Sequence, residues 1–150
     1  MEFKSRAVWN LVELHKQEML RFLEVWDRFL TSGLPMLEAL GDPNYKDREL
    51  LCAHVVAAAR EDLIWICEKV RRPVTHLDDS NDPYDIAARF CSFAEALFVA
   101  YQQLLADLTD QELTAPHPTK GGMDLNVEAI LEHAIVHPMR HRIQLERILS

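Results

Sequence analysis

A chain of 150 residues and 17.3 kDa is long enough for one domain with its own core and short for two. With 49% hydrophobic and 27% charged residues it falls outside the disordered class, and only four Gly argue against a turn-dense β sandwich and for long helices. A formal net charge of −8 repels phosphate backbones and anionic lipid, so neither nucleic acid nor a membrane surface is an expected partner.

The amino-terminal stretch Met1-Glu2-Phe3-Lys4-Ser5-Arg6 runs into Asn10, Glu13 and His15 without the apolar centre of a secretory signal, so the expected compartment is the cytoplasm. From about Glu2 to Thr31, apolar residues recur at helical spacing. Trp9, Val12, Met19, Leu23, Trp26 and Leu30 form one stripe, with Val8, Leu11, Phe22, Val25 and Phe29 beside it. Ser32-Gly33 stops this helix. Leu34 to Lys46, with Pro35, Gly41, Pro43 and Asn44, reads as a connection with room for one short helical turn.

Asp47 is the natural cap of a second helix, from roughly Arg48 to Arg71, which closes on Lys69, Arg71 and Arg72 and then Pro73. Asn81 or Asp82 followed by Pro83 starts a third, with Ile86, Phe90, Phe93, Ala94, Leu97, Tyr101 and Leu104 on its buried stripe, ending near Asp107. Thr114 to Met123 is the most loop-like stretch, and a fourth helix runs from near Asp124 or Asn126 to about Leu149. The expectation is a single all-α domain over residues 1–150, a four-helix bundle. A link of about 11 residues between helices two and three could reach about 36 Å, roughly the length of a 24-residue helix, which allows a long crossover with those two helices parallel (up-down-down-up). No apolar run approaches the roughly 18 to 20 residues that cross a bilayer.

The fourth helix breaks its own pattern. At about 100° per residue, His133, His137, His141 and Gln144 share a sector with Val127, Ile130, Ala134, Leu145 and Ile148, so imidazoles occupy the face that should be apolar. On the second helix His54 lies near the direction of Leu50, Leu51, Ala58, Glu61 and Trp65 and also faces inward. A buried imidazole without a partner costs about 1 to 3 kcal/mol, so something has to satisfy these rings. An i, i+4 pair places two ring nitrogens one turn apart, which suits two adjacent ligands of one divalent ion. With His137 and His141 as the pair, His54 is the best third arm, leaving a coordination position open. Spacing alone leaves two matters open: whether the rings are instead core histidines bonded to carbonyls or water, and whether His133–His137 replaces His137–His141.

Other metal chemistries fit less well. A zincin carries Glu directly after its first helical His, where Pro138 stands here, and a di-iron bundle needs Glu-x-x-His repeats, of which the chain has none. Pro138 removes one backbone donor and crowds the carbonyl of Ala134, and a kink is expected there. Three cysteines without C-x-x-C spacing read as reduced thiols. Cys52 and Cys67 point away from His54, and Cys91 reads as a packing residue. Glu61 shares the His54 face about 10 Å along the axis, where it could orient a ligand or meet substrate. Asp62 reads as a solvated or salt-bridged residue, and His15, His76 and His117 as bystanders, although His15 could approach the pocket from the first helix.

Leu50-Leu51-Cys52-Ala53-His54-Val55-Val56, together with Leu131 to Gln144 containing His137-Pro138-Met139-Arg140-His141-Arg142-Ile143-Gln144, resembles the DinB-like (DinB/YfiT) superfamily of bacterial metalloenzymes. The match is to that family's inward His and its late H-x-x-x-H-R-x-Q element. Ile143 stands where the family usually has a small residue and Pro138 where it is often polar or acidic. The resemblance implies His54, His137 and His141 as ligands of one divalent ion, commonly zinc or nickel, with His133 accessory, a crossover bundle, and often a homodimer. Some relatives use low-molecular-weight thiols in transferase or isomerase reactions. The expected function is thus a metal-dependent enzyme that activates water, as a hydrolase, or a thiol, as an S-transferase. Glu61, His133 and Arg140 would be helpers and a small molecule the substrate. The alternative is a non-catalytic metal-binding or stress-related dimeric interaction protein.

Overall fold

Local capping sets most of the helix starts in the computed structural model, which describes residues 2–36, 46–74 and 77–150. The Ser5 hydroxyl accepts from the Val8 amide at 3.1 Å and donates to Asp110, opening α1 (Arg6–Ser32). Gly33, at φ 68°, closes it in the left-handed conformation that costs glycine nothing. Asp47 caps α2 (Arg48–Lys69) by accepting from the Leu50 amide at 2.6 Å. Asn126 does the same for α6 (Val127–Leu149), from the Ala129 amide at 2.8 Å. Residues 37–45, where a short turn was expected, and His76 lie outside the described residues.

The expected third helix is two elements, α3 (Pro83–Ala88) and α4 (Phe90–Leu105). They part at Arg89, whose guanidinium turns back to the carboxylates of Asp85 and Asp78, 2.9 Å away in the second case, and rests 5.0 Å from the Phe93 ring. The apolar period carries no sign of that break. Thr109 and Glu112 form a reciprocal capping box for the short α5 (Asp110–Thr114). The loop-like stretch holds a minimal antiparallel pair, β1 (His117–Pro118) with β2 (Asp124–Leu125).

The described chain is therefore all-α apart from one two-residue ladder. Its core joins Met19, Phe22 and Phe29 of α1, Leu51, Leu63 and Ile66 of α2, Tyr101 and Leu105 of α4, and Leu131 and Leu145 of α6. α1 packs most extensively on α6. The buried stripe of α1 is narrower than expected: Trp9 is 45% exposed, about 100° from Val8 and at the edge of the face. α6 continues as one helix through Pro138, which is buried.

Contacts along α2 follow the order of the segment after it. Tyr84 donates to Asp47 at 3.3 Å, Tyr101 donates to the Ala59 carbonyl at 2.7 Å, and Arg72 donates to the Leu104 carbonyl. Trp26, late in α1, reaches the Arg48 carbonyl and the Phe90 ring, while Lys4, before α1, bonds Ala106 after α4. No helix among the described residues is long and apolar enough to cross a membrane.

Tyr101 is fully buried and its hydroxyl has one acceptor. Tyr101→Phe is expected to lower the unfolding free energy by about 1 kcal/mol, and Phe22→Ala, which opens a cavity in the same core, by about 4 kcal/mol. Urea unfolding of both variants checks the contrast, and a Tyr101→Phe protein as damaged as Phe22→Ala would refute it.

Candidate metal centre

α2 contributes His54 and α6 contributes His137 and His141, and the three ligand atoms lie within 4.8 Å of one another. The Nε2 of His137 is 2.9 Å from that of His54 and 3.1 Å from that of His141. Nitrogens about 2.1 Å from one ion sit about 3.0 Å apart at adjacent octahedral positions and about 3.4 Å apart at tetrahedral ones, so both edges have the length of a shared coordination sphere. His141 is buried, at 1% exposure, and His54 and His137 are partly buried.

Proton bookkeeping identifies what the cluster lacks. The Oε1 of Gln144 accepts from His141 Nδ1 at 2.9 Å, so the neutral ring carries its proton there and presents a lone pair at Nε2. His137 Nε2 then faces two ring nitrogens at once. An imidazole nitrogen holds either a proton or a lone pair, so it cannot donate to one neighbour while accepting from the other. Burial, followed by the nearby His141, His54, His133 and Arg140, lowers the His137 pKa to about 3. The ring is neutral at pH 7, the state a metal ligand requires. With the His54 and His137 protons on Nδ1, the three Nε2 lone pairs would match the donor set of one divalent cation.

His133, one turn before His137, is largely exposed and stays outside the trio. Its ring stacks on His137, with centroids 5.4 Å apart and planes at 13°, and its Nδ1 donates to Asp62 Oδ2 at 2.9 Å. Asp62, on α2, is salt-bridged as its sequence reading allows, and its partner is His133. Burial pushes its carboxyl up, while the bond to His133 and that ring's charge pull it down. Asp62 pairs with His133 and His54 with His137, so numbers rise along α2 as they fall along α6. Glu61 is exposed and touches none of the three rings, but it lines an open groove of about 280 Å³ that also has His54 in its wall. Arg140 is exposed and enters the site through its charge on His137.

A group missed by the sequence fixes α6 beside the cluster. Glu18, 6% exposed on the apolar stripe of α1, accepts from Arg142 at 3.3 Å, and Arg142 also binds Glu146 at 2.9 Å. The signal was present: a carboxylate on a greasy face needs a cation, and Arg142 follows a ligand position.

The thiols take no part. Cys52 and Cys67 are buried, with burial pushing both thiols up, and Cys91 is exposed instead of packed as expected. His117 lies edge-on to Trp65 with ring centroids 5.9 Å apart. His15 does not reach the pocket. It is fully buried against Tyr101 and Phe98, and neither of its ring nitrogens has a hydrogen-bond partner among the described residues. The chain was compared with protein-family models, curated proteins and solved structures, and none of them matches it.

Two outcomes follow from these geometries. Burial holds the His15 pKa at about 4 against 6.5 when free, so the unfolded chain takes up the proton first. Stability from this residue is whole above pH 6.5 and declines as pH falls toward 4, by on the order of 3 kcal/mol at the lower end. Urea unfolding of metal-free protein is expected to show that decline flattened in His15→Leu, and an unchanged slope would refute it. Gln144→Leu removes the group that sets the His141 tautomer and is expected to weaken zinc binding about 10- to 100-fold with the fold intact, measured by competition with a chromophoric chelator.

Proposed function

We propose that this protein is a metal-dependent enzyme of the DinB-like kind, with one divalent ion, zinc or nickel, held by His54, His137 and His141. The observation that carries the proposal is the meeting of three Nε2 atoms from two helices, 2.9 and 3.1 Å apart, in an arrangement where no neutral protonation state gives His137 a separate hydrogen bond to each neighbour. An ion bound there would supply a positive charge that polarises a substrate and lowers the pKa of a coordinated water or thiol toward neutrality. The chain's part is to present three neutral imidazoles, hold the His141 tautomer through Gln144, and brace the His137 ring with His133 and Asp62. A structural site normally closes with a fourth protein ligand, and among the described residues no further His, Cys, Asp or Glu joins the group. That favours the enzyme over the non-catalytic metal-binding alternative.

The scaffold in this reading is a four-helix bundle of α1, α2, α4 and α6 with an up-down-down-up course. The same-order contacts of α2 with Tyr84, Tyr101 and Leu104 support it, as do the opposed order of α2 and α6 and the meeting of Lys4 with Ala106. The substrate is a small molecule entering beside His54, and water or a low-molecular-weight thiol is the nucleophile. A homodimer and a cytoplasmic location complete the proposal.

Protein purified without chelator is expected to contain about one zinc or nickel per chain, and His137→Ala/His141→Ala none, with His133→Ala retaining it. Elemental analysis of the three proteins decides. Metal-free wild type that also fails to bind added zinc would end the proposal, and loss of metal in His133→Ala alone would move the ligand pair one turn back.

A further inference from the structure

We infer that the groove beside His54 binds a small substrate carrying one carboxylate, and that Arg60 is the residue that recognises it. The inference rests on the reading of His54 as a metal ligand, because it places the reacting end of that substrate at the metal and the carboxylate at Arg60. The groove runs along α2 past His54, Ala57, Arg60 and Glu61, and Asn81 and Pro83 of the segment leading into α3 form its far wall.

Arg60 is held in a form suited to that task. Its Nη1 donates to the carbonyls of Asp78 at 3.1 Å and Ser80 at 2.8 Å, and its Nη2 donates to Asn81 Oδ1 at 3.1 Å. All three acceptors are neutral, and no carboxylate among the described residues pairs with the guanidinium. In a chain with 24 acidic and 16 basic side chains, a half-buried arginine without an acidic partner is a charge left for something else. Of its five N–H groups, both on Nη1 and one on Nη2 are taken. Nε–H and one N–H of Nη2 remain, and the Nε/Nη2 edge of a guanidinium is one of those that grips a carboxylate with two hydrogen bonds. The side chain is already immobilised, so binding an anion there would order little that is not ordered in the free protein.

Glu61 narrows the class. It is exposed, has no ion-pair partner among the described residues, and follows Arg60 directly, so it sets a negative charge at the Arg60 end of the groove, about 10 Å along the helix from His54. That charge repels a phosphate dianion more strongly than the single charge of one carboxylate, which leaves the monoanion as the class Arg60 can hold. Arg60 stands six residues beyond His54, about 9 Å along the helix, so a molecule touching both sites is metabolite-sized.

Butyrate and its neutral isostere butyramide are suitable probes, tested on chelated and on zinc-loaded protein. Butyrate is expected to shift the NMR signal of the Arg60 Nε–H in both forms, and butyramide in neither. Arg60→Gln should weaken butyrate binding about tenfold, Arg60→Lys less, and Glu61→Gln should strengthen it. Wild-type protein in which butyrate leaves the Arg60 signal unmoved overturns the inference, whether or not Arg60→Gln folds. Zinc content of the same samples separates the two claims. A butyrate shift without zinc binding would sink the metal proposal and leave the anion site, and zinc binding without the shift would do the reverse.

Discussion

A ring nitrogen of a neutral imidazole has a single in-plane position, filled by a proton or by a lone pair, and the rest of this molecule is arranged around that restriction. Nitrogens from α2 and α6 are pressed to hydrogen-bond distance around His137 Nε2, which has one such position for two neighbours. Charging His137 is opposed by burial and by its neighbours, so that ring stays neutral near pH 7. A shared cation would relieve the crowding, because one charge can satisfy three lone pairs together. The requirement reaches outward. Gln144 must hold the far side of His141, and Glu18 with Arg142 must hold α6 against α1. The opposed order of α2 and α6 must bring residue 54 level with 137 and 62 level with 133.

A fully buried and a partly buried histidine show how differently the same side chain can be used. His15 and His137 both have strongly lowered pKa values, to about 4 and about 3, with burial as the first cause in each. His15 sits against aromatic rings with no hydrogen-bond partner among the described residues, so its burial is a standing cost to stability that acid makes worse. His137 shares its surroundings with other imidazoles, and the same burial makes it a better ligand by keeping its lone pair free. Perturbation alone therefore does not mark a site. A perturbed group with further donors gathered around it does.

What the sequence made legible was what is local. Asp47, Asn126 and Gly33 announce helix ends through bonds within a few residues, and the structure has them where the pattern puts them. The inward pair on α6 follows from the helical period alone. Convergence with His54 needed the register between two helices, which no single-helix pattern contains. The partner of Asp62 was hidden for the same reason, since it lies 71 residues away and acquires that role only when α6 passes α2 in the opposite sense. The third predicted helix parts at Arg89, which pairs with Asp78 of the preceding connection, Trp9 lies at the edge of a stripe drawn too wide, and Cys91, expected to pack, is exposed. Single-helix periodicity carries neither the partner of a distant residue nor the edge of a buried face.

The connection between α2 and α3 has a second consequence beyond topology. α2 buries residues around most of its circumference, Leu51, Cys52, Val55, Val56, Ala59 and Leu63 among them, because α4, α6 and the returning chain each take a side. Were α2 and its successor joined by a tight turn, the successor would pack antiparallel to α2, and no extended segment would run back along it. The long return lays Asp78 to Asn81 alongside α2, where Arg60 ties down two carbonyls and an amide oxygen. That tie leaves the sector of α2 from His54 to Glu61 walled on one side instead of covered. The return of residues 78–81 along α2 thus keeps an opening beside the histidine of α2, and in a core packed this closely an approach to a partly buried cluster has to be built into the path of the chain.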